Sequence, residues 1–148
     1  MSEHQAKPRL FSTTRRLTVE WGHCDAAGIV FNPRFFEYFD WSTALLLCEA
    51  ASMNVQQMLA IYGSAGAPLV ATHAKFLKPC SFGDEVRIVS TVTRVGTASF
   101  EVDHRLYNGE ELAVEGYETR VWVGLEGGKL KSRPLPEAMA SRMRKPVD

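Results

Sequence analysis

Residues 21–33 read Trp-Gly-His-Cys-Asp-Ala-Ala-Gly-Ile-Val-Phe-Asn-Pro and set one carboxylate, Asp25, in a glycine-containing loop that runs into a helix start. Asn32 is a favoured N-cap, because its side chain accepts from the free N–H groups of a first turn. Pro33 suits the first helical position, where its missing N–H costs nothing. The loop therefore brings an acid to the positive end of a helix dipole, where backbone donors point outward. A nucleophile or base beside preorganised N–H groups is what acyl transfer uses, since negative charge grows on the carbonyl oxygen in the transition state. The plainer role for such an acid is to satisfy backbone donors of its own turn.

The flanking His23 and Cys24 invite a metal or thiol-nucleophile reading. An extended triplet points neighbouring side chains to opposite faces, and there is no second cluster of ligands, so neither is expected. Asp40 lies four residues after Phe36 on one helix face. An acid in an apolar helix is costly without a partner, which predicts a structural partner such as an arginine or a backbone donor across the dimer. His73 sits on the strand face opposite Val70 and Phe76 and is a pocket-lining candidate. His104 shares a face with Val102 and reads as a hydrogen-bonded core residue. Arg94, with Lys75, Lys78 and Arg87, could meet phosphates or simply solvate strand edges.

These residues need elements to position them. Residues 15–21 alternate, with Leu17, Val19 and Trp21 on one face, as a half-buried strand does. Residues 33–51 read as one long helix whose apolar positions wrap almost the whole cylinder, which predicts burial on all sides. Asn54 caps a shorter helix that runs to Tyr62 and ends at Gly63. From Pro68 to about Leu125 the pattern is β. Val70, Thr72, Ala74 and Phe76 share a face, as do Val86, Ile88, Ser90 and Val92, then Phe100, Val102 and Leu106, and finally Ala113, Tyr117, Val121 and Val123. Asn108-Gly109 is a hairpin signal for a type I′ turn, and Leu135–Arg144 forms a short amphipathic tail helix. One strand, a buried helix and then an antiparallel run do not make βαβ units in series. They predict an α+β fold in which an antiparallel sheet wraps one central helix. Residues 1–14 are expected to be a flexible segment ahead of a single domain over 15–148.

Lysine plus arginine and aspartate plus glutamate number 17 each in 148 residues, which gives no electrostatic footprint for nucleic acid. Three scattered cysteines without CxxC spacing fit a reducing, cytoplasmic setting rather than a disulfide framework or zinc ribbon. No apolar run marks a secretory signal or a membrane span.

Asp25-Ala26-Ala27-Gly28-Ile29-Val30-Phe31-Asn32-Pro33, followed by Phe35-Phe36-Glu37-Tyr38-Phe39, resembles the signature of the 4-hydroxybenzoyl-CoA thioesterase family. Its motif runs Asp-x-x-Gly-hydrophobic-Val-aromatic-x-x-x-aromatic, and the resemblance covers about residues 15–125. It implies the hotdog fold, a five-stranded antiparallel sheet around a long central helix. It also implies an acyl-CoA thioesterase that hydrolyses an aromatic, 4-hydroxybenzoyl-type CoA thioester to the acid and CoA, with no metal and no cofactor. Asp25 matches the catalytic carboxylate, as nucleophile or as general base. Asn32 matches the residue whose backbone N–H holds the thioester oxygen. Asp40 matches an acid that accepts from the substrate's phenol hydroxyl, a position where related short-chain enzymes often carry glutamate. Phe31 and His73 are further substrate-contact candidates, and Arg94 is a candidate CoA phosphate contact. Where the family pattern has a basic run ahead of Ser-Phe, this chain has Val95-Gly96-Thr97-Ala98 ahead of Ser99-Phe100, which loosens the case for nucleotide binding there. The family assembles as homodimers and usually homotetramers with sites at the dimer seam. A short-chain acyl-CoA thioesterase and a non-catalytic acyl-CoA or acyl-carrier-protein binding module are the alternatives. A hotdog dehydratase fits less well, since those sites pair a carboxylate with a histidine in another motif.

Overall fold

A computed structural model of the chain describes residues 7–147. Helix α1, Asn32–Ala51, packs against one face of a five-stranded antiparallel sheet. The strands are β1 (Ser12–Thr18), β2 (Leu69–Phe76), β3 (Glu85–Val95), β4 (Ser99–Asn108) and β5 (Glu111–Val121), in spatial order β1-β3-β4-β5-β2. The helix reaches both edges of the sheet. Arg15 of β1 donates to the Tyr38 carbonyl at 3.1 Å, Phe39 stacks on His104 of β4 at 4.7 Å, and Phe35 meets Phe76 of β2 at 5.7 Å. One helix touches both edges only if the twisted sheet curls around it.

Local chemistry sets the helix ends. Asn54 accepts from the Gln57 N–H at 2.8 Å and Gln57 accepts from the Asn54 N–H at 3.0 Å, a reciprocal cap that starts α2, Val55–Tyr62. Gly63, at φ 59, ends it. Helix α3, Glu137–Met143, turns Met139, Ala140 and Met143 into a core shared with Leu46, Val92, Phe100 and Trp122.

Val86, Ile88, Val92, Phe100, Val102 and Leu106 are all buried, as their alternation predicts. Strand β5 keeps Ala113 buried, as expected, and departs from the expectation beyond it. Val114, Gly116, Glu118 and Arg120 face the helix, while Tyr117 and Val121 do not, because the inward charges are fully paired. The β4–β5 turn falls on Gly109-Glu110, one residue later than expected, with Asn108 paired to Glu111. Positive φ is confined to Gly109, so this is not a type I′ turn, which needs it at both central residues. The expected strand through Leu125 breaks at Trp122, and Val123–Glu126 (β6) instead pairs with Lys129–Ser132 (β7) across Gly127-Gly128.

Two further expectations change. The sheet begins at Ser12, with Phe11 buried ahead of it, so residues 11–14 belong to the folded body rather than to a flexible segment; residues 1–6 lie outside the described residues. Helix α1 is not covered all round, since Trp41 and Leu45 are exposed. Leu69, Val70 and Phe76 are exposed along β2, an edge strand with a free hydrogen-bonding side.

Candidate active site

The loop carrying Asp25 is a small hairpin. The Asp25 N–H donates to the Ile29 carbonyl at 2.9 Å, the Gly28 N–H donates to the Asp25 carbonyl at 3.0 Å, and Cys24 bridges to Val30. Gly28 sits at φ 79, a conformation that disfavours any side chain, although a Cβ there would meet nothing within 4 Å. The Asp25 carboxylate accepts the Ala27 N–H on Oδ1 at 2.8 Å, and the residue is exposed. The hairpin is stitched to the turn before β3. The Val30 N–H donates to the Cys80 carbonyl at 2.8 Å, and Ile29 bridges to Ser81.

Two residues beyond Val30 the chain enters α1. Phe31, not Asn32, is the N-cap, and no side chain caps the helix. Asn32 is the first helical residue because the Phe31 N–H is already spent on the His23 carbonyl at 2.9 Å and the Phe31 carbonyl takes the Arg34 N–H at 2.8 Å. Pro33 has no N–H. Among the described residues nothing accepts from the Asn32 N–H, which is left at the exposed positive end of a 20-residue helix.

Beside that N–H is an apolar pocket of about 230 Å³, walled by Ile29, Val30, Asn32, Phe35, Phe76 and Leu77 among others. Two aromatic rings, Phe35 and Phe76, line it at 5.7 Å from each other, and Phe36 and Tyr38 pack against them at 6.4 Å from Phe76 and 5.8 Å from Phe35. Asp25 and Phe31 stand outside its wall, both exposed.

His23 organises the approach to the loop. Its Nδ1 accepts both the Glu20 N–H at 3.0 Å and the Tyr38 hydroxyl at 2.8 Å, which leaves the ring proton on Nε2, 3.8 Å from the Glu20 carboxylate. Burial, with the nearby Cys24 and Cys80 thiols, pushes the Tyr38 phenol up to about 12, so it stays a donor. Cys24 points its thiol at the Glu20 carbonyl, and among the described residues no three His, Cys, Asp or Glu side chains gather as a metal site.

Asp40 has an arginine partner, as its setting predicts, but within its own chain rather than across a dimer. Arg120 Nη2 donates to Asp40 Oδ1 at 2.7 Å and to Glu118 Oε2 at 3.0 Å, and Nε donates to Glu118 Oε1 at 2.9 Å. Behind them Thr43 donates to Glu118, His104 Nε2 lies 3.2 Å from Glu118 Oε1, and Ser90 meets His104 Nδ1 at 2.7 Å. Burial raises the Glu118 carboxyl, but the bonds from His104 and Arg120 outweigh it and hold the group at about 2. The sequence reading missed Glu118 and Arg120; their shared parity with Val114 and Gly116 on β5 is the signal that would have found them.

Two candidates are not brought to the Asp25 loop. His73 stacks on Tyr117 at 4.4 Å on the sheet face turned away from α1. Arg94, near the β3–β4 turn, bonds Ser99 at 3.0 Å and lies 3.5 Å from Glu101, at the opposite end of β3 from Cys80 and Ser81.

A family model described as the thioesterase-like superfamily matches residues 19–143. The 4-hydroxybenzoyl-CoA thioesterase of Pseudomonas sp. (strain CBS-3) is 25% identical over 130 residues, covering 84% of this chain and 92% of the relative. Its solved structure superposes with a TM-score of 0.81 at 24% identity, covering 90% and 99% of the two chains. A 1,4-dihydroxy-2-naphthoyl-CoA hydrolase of Thermosynechococcus vestitus is 26% identical over 106 residues, 66% of each chain. The structure of a gentisyl-coenzyme A thioesterase gives a TM-score of 0.76 at 28% identity, covering 85% of this chain and 98% of that one.

Proposed function

The chain belongs to the thioesterase-like superfamily and has the hotdog fold, and from that premise we propose that it is an acyl-CoA thioesterase acting on an aryl, 4-hydroxybenzoyl-type CoA thioester. The observation that carries this reading is the unspent N–H of Asn32, a residue that lines an apolar pocket with Phe35 and Phe76, next to the hairpin that holds Asp25. At about 230 Å³ the pocket lies below the ~300–1,000 Å³ of drug-sized sites and suits one ring rather than a long acyl chain. The relative named as a 4-hydroxybenzoyl-CoA thioesterase acts on a single-ring acyl group, which supports that reading.

In the proposed reaction the thioester oxygen takes the Asn32 N–H, which strengthens its bond as negative charge develops there. Asp25 supplies the other half of the chemistry by one of two routes. As nucleophile, its free oxygen bonds the thioester carbon, the C–S bond breaks, and CoA leaves as the thiolate and takes up a proton; water then cleaves the mixed anhydride to free acid and Asp25 carboxylate. As general base, it takes the proton of a water whose oxygen attacks the same carbon, and the thiolate leaves likewise. Water is the only co-reactant in either route, so no cofactor or metal enters the balance. Acid quench and mass measurement of Asp25 peptides during a single turnover separate the two.

A homodimer or homotetramer is part of this proposal. The free edge of β2 and the uncovered Trp41 and Leu45 of α1 support it, since an exposed apolar edge strand is a surface that soluble proteins pair or shield. A cytoplasmic setting is proposed on the three free cysteines; no single helix among the described residues is long and apolar enough to cross a membrane.

Free-thiol release from a panel of acyl-CoA thioesters tests the reading. Turnover highest on 4-hydroxybenzoyl-CoA agrees with it, and a preference for acetyl- or butyryl-CoA assigns the short-chain reaction instead. Binding without turnover makes the chain an acyl-CoA module.

A further inference from the structure

One side-chain contact fastens the strand that carries Asp25 to the helix that offers the Asn32 N–H. The Tyr38 hydroxyl, on α1, reaches His23 Nδ1 at 2.8 Å; among the described residues this is the one side-chain hydrogen bond between residues 20–30 and α1. His23 is also the last rung of the Asp25 hairpin, since its carbonyl takes the Phe31 N–H at 2.9 Å, beyond the Cys24–Val30 bridge. A closed circuit therefore runs from His23 through Asp25 to Asn32, along α1 to Tyr38 and back to the imidazole. The ring is held as an acceptor, because Nδ1 receives the Glu20 N–H at 3.0 Å as well as the hydroxyl. An imidazolium donates from both nitrogens. The Tyr38 hydroxyl can turn and accept from it, but the Glu20 amide cannot, so a proton on Nδ1 sets N–H against N–H. The side chain is 25% exposed, which lets that proton arrive from solvent. Around the ring, the Glu20 carboxylate lies 3.8 Å from Nε2, and Arg15 of β1 and Glu37 of α1 line the same open groove with opposite charges. The Cys24 and Cys80 thiols stand near the Tyr38 hydroxyl.

We infer that His23 is a positioning residue for Asp25: its neutral ring, accepting from Tyr38 and Glu20, fixes the Asp25 hairpin against the start of α1, and protonation releases it. This deepens the thioesterase reading above and rests on it. Asp25 and the Asn32 N–H act on one thioester group from two different segments, and a misplacement of about 1 Å can cost as much as ~10²-fold in rate. Two hydrogen bonds to one ring nitrogen give their spacing a definite value while the ring is neutral. Histidine titrates between about pH 5 and 8, whereas an ordinary aspartate does so near ~4. Activity that depends on this contact therefore falls on acidification in the histidine range, before an ordinary carboxylate takes up a proton.

The test is the pH profile of kcat/KM for aryl-CoA hydrolysis by wild type, His23→Asn and His23→Ala, with the protection of the Phe31 amide against hydrogen exchange followed over the same range. Asparagine sets an oxygen near the place of Nδ1, an acceptor that does not titrate. Wild type should lose activity between about pH 8 and 5. His23→Asn should stay within a few-fold of it at the upper end, and its acid limb should move down towards about pH 4. His23→Ala should lower kcat by roughly tenfold with KM changed less than about twofold, and should show no limb in the histidine range. Phe31 protection should fall over that range in wild type and hold in His23→Asn. If His23→Ala does not fold, His23→Asn reads the same limb. An acid limb that His23→Asn keeps, or Phe31 protection that pH leaves unchanged in wild type, overturns the positioning role alone. A wild type that hydrolyses no thioester overturns the thioesterase reading and this inference with it.

Discussion

The ring of Phe39 lies against the bare Cα of Gly116: a Cβ at residue 116 would come within 2.5 Å of Phe39 Cε2 and 2.6 Å of Cδ2. Phe39 cannot retreat, because its other face stacks on His104 at 4.7 Å and 9° and the residue is 1% exposed. Gly116→Ala should therefore destabilise by about 1–3 kcal/mol, the usual cost of overpacking a filled core. Urea unfolding measures it. Trimming the ring in a Gly116→Ala/Phe39→Leu double variant should cost less than the two single changes added together.

The same contact explains where sequence reading succeeded and where it failed. Helix α2 was legible because Asn54, Gln57 and Gly63 state its two ends locally. Strands β3 and β4 were legible because Val86, Ile88, Val102 and Leu106 alternate with polar residues. Strand β5 was misread because its inward face carries a glycine and two charges. Gly116 is there for the space Phe39 occupies, and Glu118 and Arg120 are there because partners from α1 and β4 satisfy them. Apolar periodicity registers neither reason, since both depend on residues more than ten positions away. In the site, the Asp25 loop and the helix start were legible, but the loop's hairpin form was not, and the capping residue shifted to Phe31, whose N–H the His23 carbonyl takes. The Arg120 partner of Asp40 was legible as a type of residue and not as a position.

Glu118 ties stability to pH. Its folded value of about 2 lies below the ordinary 4.5, so its contribution is complete above about pH 4.5 and is lost as pH falls towards 2. A depression of that size corresponds to about 3 kcal/mol. The stability gap between wild type and Glu118→Gln should narrow by that order between neutral pH and about pH 2. A gap that does not change with pH contradicts the pairing.

Tyr38 holds the loop through His23. Tyr38→Phe removes the 2.8 Å bond to Nδ1 while keeping the ring edge against it at 5.2 Å. A stability loss of about 1 kcal/mol is expected. The Phe31 amide, bonded to the His23 carbonyl, should also exchange its hydrogen faster than in wild type. Exchange at an unaltered rate would show that the Glu20 N–H alone fixes the imidazole.

The protein should run as a dimer or larger at micromolar concentration. Placing lysine at Val70, exposed on the free edge strand, should weaken that association without unfolding the chain. Light scattering distinguishes this from a monomeric wild type, which would leave the apolar edge of β2 without a partner.

The most direct measurement is kcat/KM for aryl-CoA hydrolysis by Asp25→Asn. The asparagine keeps an oxygen to accept the Ala27 N–H, so the hairpin should hold and the melting temperature should change little. It removes the carboxylate that either attacks the thioester or takes the proton of water, and the rate should fall at least ~100-fold. A folded Asp25→Asn protein that hydrolyses the thioester within a few-fold of wild type would contradict the assignment of Asp25 as the catalytic carboxylate.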